Sequence, residues 1–398
     1  MLALLMLFVY MLMMAYVIWR MAHCFRGTKS FLGKKIVLIP LSLILIVLWS
    51  TLLLGGFLPH SDLQVAIHKF SNYWLGFFIY LFFFTLVTDI LVLIFKLVKK
   101  IRKKEVQKNP RLYAILSALV FLLSIGFTAY GLDHANKITT NSYEITVDKS
   151  CAGREDLNIV LVSDFHLGYS IGCDMMEQMV EKVNALEPDI IIMGGDIVDN
   201  EYEALDDPER LAEIISSMKS TYGTYGIYGN HDVSALLIGG FSVTTPSEQF
   251  RDPRVEEFVK DCGITMLEDE VVTIDDAFYL IGRLDGERAG DGTSDRMTIE
   301  ELTGDLDKSK PCIMLSHEPD EISENAANGM DIQLSGHTHA GQFFPLTLTM
   351  PFKWENYWGY KQVDQLHEFV SSGIGVYGPD MRVATDSEVM QIKVHFTK

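Results

Sequence analysis

Cysteine is scarce in this 398-residue chain and scattered: Cys24, Cys151, Cys173, Cys262 and Cys312 form no CxxC pair. Neither a zinc ribbon nor a disulfide framework is indicated. Acidic side chains are nearly missing from the first third. Up to Leu132 there are 14 Lys and Arg against only Asp62, Asp89 and Glu105, a balance of +11. The rest lacks cations to the same degree, with 19 basic and 49 acidic residues, or -30. Segments so opposite in charge belong in two physical environments, which excludes a single water-soluble domain. The acidic part is poorly suited to gripping nucleic-acid phosphates, and no nucleic-acid partner is expected.

What the first third does have is apolar length. Leu2 to Trp19, Ile36 to Leu58, Tyr73 to Phe95 and Leu112 to Leu132 each supply about 18 or more residues, enough to cross a ~30 Å hydrocarbon core as a helix. No basic n-region precedes the first run and no small-residue cleavage site follows it, so it reads as retained rather than as a signal peptide. Residues 1–132 are therefore expected to form an all-α bundle of four transmembrane helices in the lipid bilayer. Arg20 to Lys35 and Lys96 to Arg111 are strongly basic, whereas Pro59 to Asn72 holds only Lys69 and Asp62. The positive-inside rule then puts both basic loops in the cytoplasm and both termini outside, with multi-pass insertion in the cell membrane and an extracytoplasmic C-terminal domain. Residues 133–143 read as a linker.

Residues 144–398 are long enough for one large core. Short apolar runs at Ile159 to Val162, Ile190 to Met193, Gly226 to Tyr228, Tyr279 to Ile281, Cys312 to Leu315 and Ile332 to Leu334 read as buried strands. Asp174 can cap a helix in which Met175, Met176, Met179, Val180, Val183 and Leu186 recur at helical spacing. Alternating strands and helices point to an α/β layered fold.

The chemistry sits just after these strands. Ser163-Asp164-Phe165-His166 follows the first, Gly194-Gly195-Asp196-Ile197-Val198-Asp199 the second, and Gly229-Asn230-His231-Asp232 the third. Later runs end in Ser316-His317-Glu318-Pro319 and Ser335-Gly336-His337-Thr338-His339. Singly, each has a structural reading: Asp164 as a turn cap, His317 as a core histidine, Asp199 as a helix N-cap, Asp232 as a turn carboxylate binding backbone N–H groups. Five such segments after five strands, in a fold whose strand ends line the functional crevice, make a shared site the better reading. In Asp164-Phe165-His166 and His337-Thr338-His339, the i and i+2 side chains at a strand end point the same way. With Asp196, Asn230 and His317 that makes seven donors, too many for one tetrahedral ion and suited to two. Carboxylate, amide and imidazole without thiolate favour Mn, Fe, Zn or Co.

In this order, Asp-x-His, Gly-Asp-x-x-Asp, Gly-Asn-His-Asp, Ser-His-Glu-Pro and Gly-His-Thr-His resemble the calcineurin-like metallophosphoesterases, from about Leu157 to Ile392. Gly336 to Gln342 followed by Ser372-Gly373-Ile374-Gly375 resembles more narrowly the bacterial membrane-associated branch. The resemblance implies a four-layer β-sandwich flanked by helices. It implies that Asp164, His166, Asp196 and His339 hold one divalent ion and Asp196, Asn230, His317 and His337 the other. It also implies that His231 protonates the leaving alkoxide or binds phosphate, with Asp199 orienting it. Phosphoester or pyrophosphate hydrolysis by a metal-bridging hydroxide is expected, without a Ser or Cys nucleophile.

Two further segments bear on the substrate. Arg283 to Arg296, rich in Gly and Asp, reads as a loop, either a substrate lid or a solvated turn. Phe343, Phe344, Met350, Phe352, Trp354, Tyr357, Trp358 and Tyr360 follow no regular period, and Trp and Tyr favour the membrane interface. A lipid-linked or cell-envelope phosphoester is the expected substrate. The alternatives are a nucleotide or cyclic-nucleotide phosphodiesterase, or a metal-binding sensor or transporter, for which only Asp89 and Lys96 approach pathway-marking intramembrane charges, and Lys96 can snorkel.

Overall fold

The structure is a computed structural model describing all residues except 1, 28–30, 106–108, 235–236, 239–240, 243–249, 289, 291–295 and 398. The chain divides into two compact units. One comprises Met1–Leu132, Leu236–Val243 and Gly378–Asp380; the other is the remainder.

The first unit contains four long helices: α1 (Leu2–Gly27), α2 (Lys35–Leu54), α3 (Asp62–Ile101) and α4 (Pro110–Ala135), the last ending just beyond the unit. All four contain windows long and apolar enough to cross a membrane. Many of their large apolar side chains face outward, as at Leu12, Ile39, Leu91 and Leu122. Ser61 starts α3 by accepting the Gln64 N–H, which satisfies an end-of-helix donor. Inside, Tyr10, Trp49 and Phe78 form an aromatic cluster. A short antiparallel strand pair, β5 (Leu237–Ile238) with β6 (Phe241–Ser242), belongs to this unit.

The second unit is an α/β sandwich of two mixed six-stranded sheets. Its first sheet has the order β1 (Ile138–Val147), β14 (Ser387–Phe396), β2 (Asp156–Val162), β3 (Ile190–Met193), β4 (Thr224–Gly226), β7 (Ile264–Met266). Its second has the order β12 (Gly359–Val363), β13 (Leu366–Val370), β11 (Ile332–Ser335), β10 (Cys312–Leu315), β9 (Phe278–Gly282), β8 (Glu270–Ile274). Leu157, Ile159, Leu161, Leu280, Ile313, Leu334, Phe369 and Ile392 fill the space between the sheets. On the outer face of the first sheet lie α5 (Cys173–Ala185), α6 (Pro208–Ser216) and α7 (Pro253–Asp261); on that of the second lie α8 (Ile299–Thr303) and α9 (Ile322–Ala327). Buried on both faces, the central strands have to be continuously apolar, which is why they were visible as short hydrophobic runs.

Several local expectations shift. The third strand ends at Gly226, ahead of the expected Tyr228, so Ile227 and Tyr228 belong to the approach to the site. Gly172 occupies the N-cap of α5, and Asp174 lies in its first turn. The stretch 133–143, expected as a linker, is ordered: α4 runs to Ala135 and β1 starts at Ile138, pairing with β14 from Ile138↔Ser387 to Val147↔Phe396. Every second side chain of β1 faces solvent, so it lacks the continuous apolar run that marked the central strands.

Candidate metal centre

β2, β3 and β4 of one sheet, and β10 and β11 of the other, all deliver their carboxyl-terminal loops to one place. All seven expected donor residues meet there. Asp164, His166, Asp196, Asn230, His317 and His339 are buried and His337 half-buried. Three sets of donors have their atoms within 4.8 Å of one another: Asp164, His166 and His339; His166, Asp196 and His231; and Asp196, His317 and His337. The carboxylate of Asp196 links the sets, with Oδ2 3.6 Å from His166 Nε2 and 3.1 Å from His317 Nε2. Asn230 Oδ1 stands 3.2 Å from His317 Nε2 and 3.0 Å from His337 Nδ1.

Paired projection in the two His-containing motifs does not come from strand alternation. Asp164, His166, Asp196, His337 and His339 all have left-handed backbone, with φ of 53°, 48°, 53°, 69° and 49°. Non-glycine residues pay in strain for this geometry, which persists only where surrounding contacts impose it and clusters at functional sites. The imposing contacts are visible. Asp232, buried in the turn after His231, accepts the N–H groups of Ile197 and Val198 on Oδ1 and of Gly229 on Oδ2, each at 2.8 Å. It straps the Asp196 loop to the Asn230 loop, the structural role considered for it from sequence. A Cβ on Gly229 would overlap the Asp196 carboxylate, so only glycine lets the two loops approach this closely.

The donor chemistry fits a pair of divalent ions. His317 Nδ1 lies 2.7 Å from the Gly194 carbonyl and must donate to it, which turns Nε2 towards two acceptors, Asp196 Oδ2 and Asn230 Oδ1. A neutral imidazole would set a lone pair against theirs, so a positive charge belongs between them. Burial would lower the His317 pKa, but Asp196 and Asp164 hold it well above the ordinary range, so without an ion a proton fills that place, and a bound ion would displace it. Burial also raises Asp196, yet His317, His231 and His166 more than offset this and keep it ionised. Burial and the His317 charge depress His337, while burial, His166 and Arg382 depress His339. Both are therefore neutral, as ligation requires.

Asp199 Oδ1 accepts from His231 Nδ1 at 2.8 Å, and Asp199 caps no helix. Burial opposes the charge on each, but Asp196 and Asp199 raise the His231 pKa, and hydrogen bonds to His166 and His231 hold Asp199 well below the usual carboxylate range.

Other neighbours drew no role in the site from the sequence. Tyr377 packs its ring against His166, His231 and His339, with centroids 5.6, 5.7 and 5.1 Å away, and Trp354 meets His337 at 5.4 Å. Arg288 donates to the Asn230 carbonyl at 2.9 Å, placing a cation beside the donors. Arg382 is fully buried and donates to the carbonyls of Ser372 and Gly375 at 2.5 and 2.7 Å. Glu318 lies 3.7 Å from His337, its pKa pushed up to about 8 by burial and by Asp285 and Glu287. Of the expected loop Arg283 to Arg296, Ala289 and 291–295 lie outside the described residues, as does any lid formed by them. Arg283 itself is buried and donates to the Met297 carbonyl.

Residues 157–341 match the family model of the calcineurin-like phosphoesterases. A transmembrane protein with metallophosphoesterase domain from Danio rerio is 29% identical over 80% of this chain and 71% of its own length. That share exceeds the 266 residues after Leu132, so the likeness reaches into the apolar helices. An uncharacterised metallophosphoesterase of Campylobacter jejuni is 29% identical over 78% of this chain and 77% of its own. One from Helicobacter pylori is 30% identical, and the chain spans 60% of its length. Among solved structures, a 5'-nucleotidase precursor from Thermus thermophilus aligns at 14% identity over 60% of this chain and 54% of its own, with a TM-score of 0.35, too distant to bear on substrate. With the five motifs, the mixed-sheet sandwich and the family match in agreement, this chain carries a calcineurin-like metallophosphoesterase domain, that of a metal-dependent phosphoester hydrolase, behind four long apolar helices.

Proposed function

We propose that this protein is a multi-pass membrane enzyme whose extracytoplasmic domain hydrolyses a lipid-linked or cell-envelope phosphoester. Asp164, His166, Asp196 and His339 would hold one divalent ion, and Asp196, Asn230, His317 and His337 the other. Two such ions, when bound, supply Lewis acidity, orient the phosphate oxygens and activate water as nucleophile. The chain's own residues do the rest. Asp196 spans both donor sets. His231, kept protonated by Asp199, delivers a proton to the departing oxygen. Arg288 meets the negative charge of the phosphoryl group. Tyr377 and Trp354 wall the site and limit water.

The observation that carries the lipid assignment is the exposure of the turn leading to Trp354. Phe352 is 91% exposed and Leu348 60% exposed, two large apolar side chains held out to solvent. Trp354, two residues on, packs against His337. An apolar tip beside the site is suited to a substrate presented at a membrane surface. The basic loops of the first third support the orientation.

The test is an activity panel on the purified full chain with Mn, Zn or Co and with chelator: p-nitrophenyl phosphate and its bis ester, phospholipids and lipid-linked sugar diphosphates. Metal-dependent turnover of a lipid-linked member with kcat/KM at least tenfold above that for soluble esters is expected. Equal or better turnover of nucleotides would replace the lipid reading. No metal-dependent turnover of any ester would favour the sensor.

A further inference from the structure

The helical unit holds a large cavity of its own, about 860 Å³, walled by all four helices. That volume lies within the range of pockets that enclose small-molecule ligands. Its walls are almost wholly apolar, Trp74, Phe77, Leu81 and Phe121 among them, and carry one ion pair. Arg20 Nε lies 2.7 Å from Asp89, and the Tyr16 hydroxyl donates to the same carboxylate at 2.7 Å. Ionisable groups at this depth are costly and usually mark a ligand or pathway. Asp89 is already held by these two partners, one of them a cation. The guanidinium uses Nε for Asp89, and its terminal nitrogens meet no acceptor among the described residues.

We propose that this cavity binds an anionic phospholipid, its acyl chain among the aromatic walls and its phosphate near Arg20. Charge complementarity selects the occupant. Arg20 and Cys24 lie towards the carboxyl-terminal end of α1, and Cys24 contacts Ser117 and Tyr113 near the start of α4. Arg26, Lys34 and Lys35, with Lys96, Lys99, Lys100, Arg102, Lys103, Lys104 and Arg111, cluster at that same end of the bundle. Basic pockets between membrane helices bind anionic headgroups. A zwitterionic lipid would bring a second positive charge to this crowded basic end, and a fully apolar molecule would leave the terminal guanidinium nitrogens of Arg20 without an acceptor. The inference rests on the four-span reading but not on the metal centre.

The experiment reconstitutes the full chain in nanodiscs of equal phosphatidylglycerol and phosphatidylcholine and reads the retained lipid by native mass spectrometry. Phosphatidylglycerol is expected to be retained at least fivefold over phosphatidylcholine. In the variant with both Arg20→Gln and Asp89→Asn, a neutral pair replacing a neutral pair, the preference should fall to less than twofold. Ala118→Trp, which fills the cavity wall, should abolish retention. Equal retention of the two lipids by the unmodified chain overturns the site, whether or not the variants fold. Retention unchanged in Ala118→Trp places the lipid on the outer surface of the bundle and also overturns it. A chain recovered from water without detergent defeats the four-span reading instead, and such a chain would not enter nanodiscs.

Discussion

His166 Nε2 and His339 Nε2, 173 residues apart in the chain, lie 2.9 Å from one another in the buried core of the site. At that distance two neutral imidazoles can share one proton, or both can turn lone pairs to a common cation. With Asp164 Oδ1 3.5 Å from His339 Nε2, the second arrangement is the better satisfied. Chelation should therefore destabilise the fold as well as silence it. A metal at about 100 times its dissociation constant adds roughly 2.7 kcal/mol. Differential scanning calorimetry of the EDTA-treated chain should show a lower Tm for the phosphoesterase domain, restored by Mn, Zn or Co. An unchanged Tm would count against a bound ion.

His231→Ala removes the group placed to protonate the leaving oxygen, with no change to the seven proposed ligands. Turnover should fall by roughly 10²- to 10⁴-fold while metal content by elemental analysis stays the same. Near-normal kcat would remove His231 from the chemistry.

Asp232→Ala breaks three N–H bonds, two that join the Asn230 loop to the Asp196 loop and one that closes the Asn230 turn on itself. Outer-shell partners of this kind typically contribute about 10- to 100-fold in metal affinity. Titration with Co, followed in the visible spectrum, should show that weakening, with the fold retained in saturating metal.

Glu368 lies buried in β13, and burial pushes its pKa from 4.5 to about 8. Between those values the unfolded chain carries the charge and the folded one holds the proton, so the site costs stability progressively as pH rises, about 1.4 kcal/mol per pH unit. Glu368→Gln should match the natural chain near pH 4.5 and exceed it by pH 8, as read by denaturant unfolding. A pH-independent difference would mean the carboxyl is ionised in the fold.

Phe352→Ser should lower kcat/KM on a vesicle-presented phosphoester by tenfold or more and leave p-nitrophenyl phosphate hydrolysis unchanged. Equal effects on both would assign Phe352 to the domain's own packing.

Much of this was legible in the chain itself, for specific reasons. Val160, Ile191 and Met314 belong to strands buried on both faces, so their neighbours had to be apolar without interruption. Asp164, Asp196, Asn230, His317 and His337 follow such strands, so strand detection and motif detection reinforced one another. β1 escaped because its burial alternates and Thr139, Thr140 and Asn141 interrupt it. Arg382 escaped because a buried arginine bonded to the Ser372 and Gly375 carbonyls leaves no spacing pattern. Tyr377 escaped, as did the packing of Trp354 on His337, because ring packing on histidines is a relation between distant segments.

The order and residue types of the chain by themselves determined the split in charge, the apolar helices, the central strands and the candidate donors, because hydropathy and ligand chemistry are properties of single residues and short runs. Only the tertiary structure decided that loops from two different sheets share one site. It alone showed five donors in left-handed backbone, Asp232 as a strap and Arg20 paired with Asp89 beside an apolar cavity. Each of these is a distance between segments far apart in the chain, set by how the layers pack.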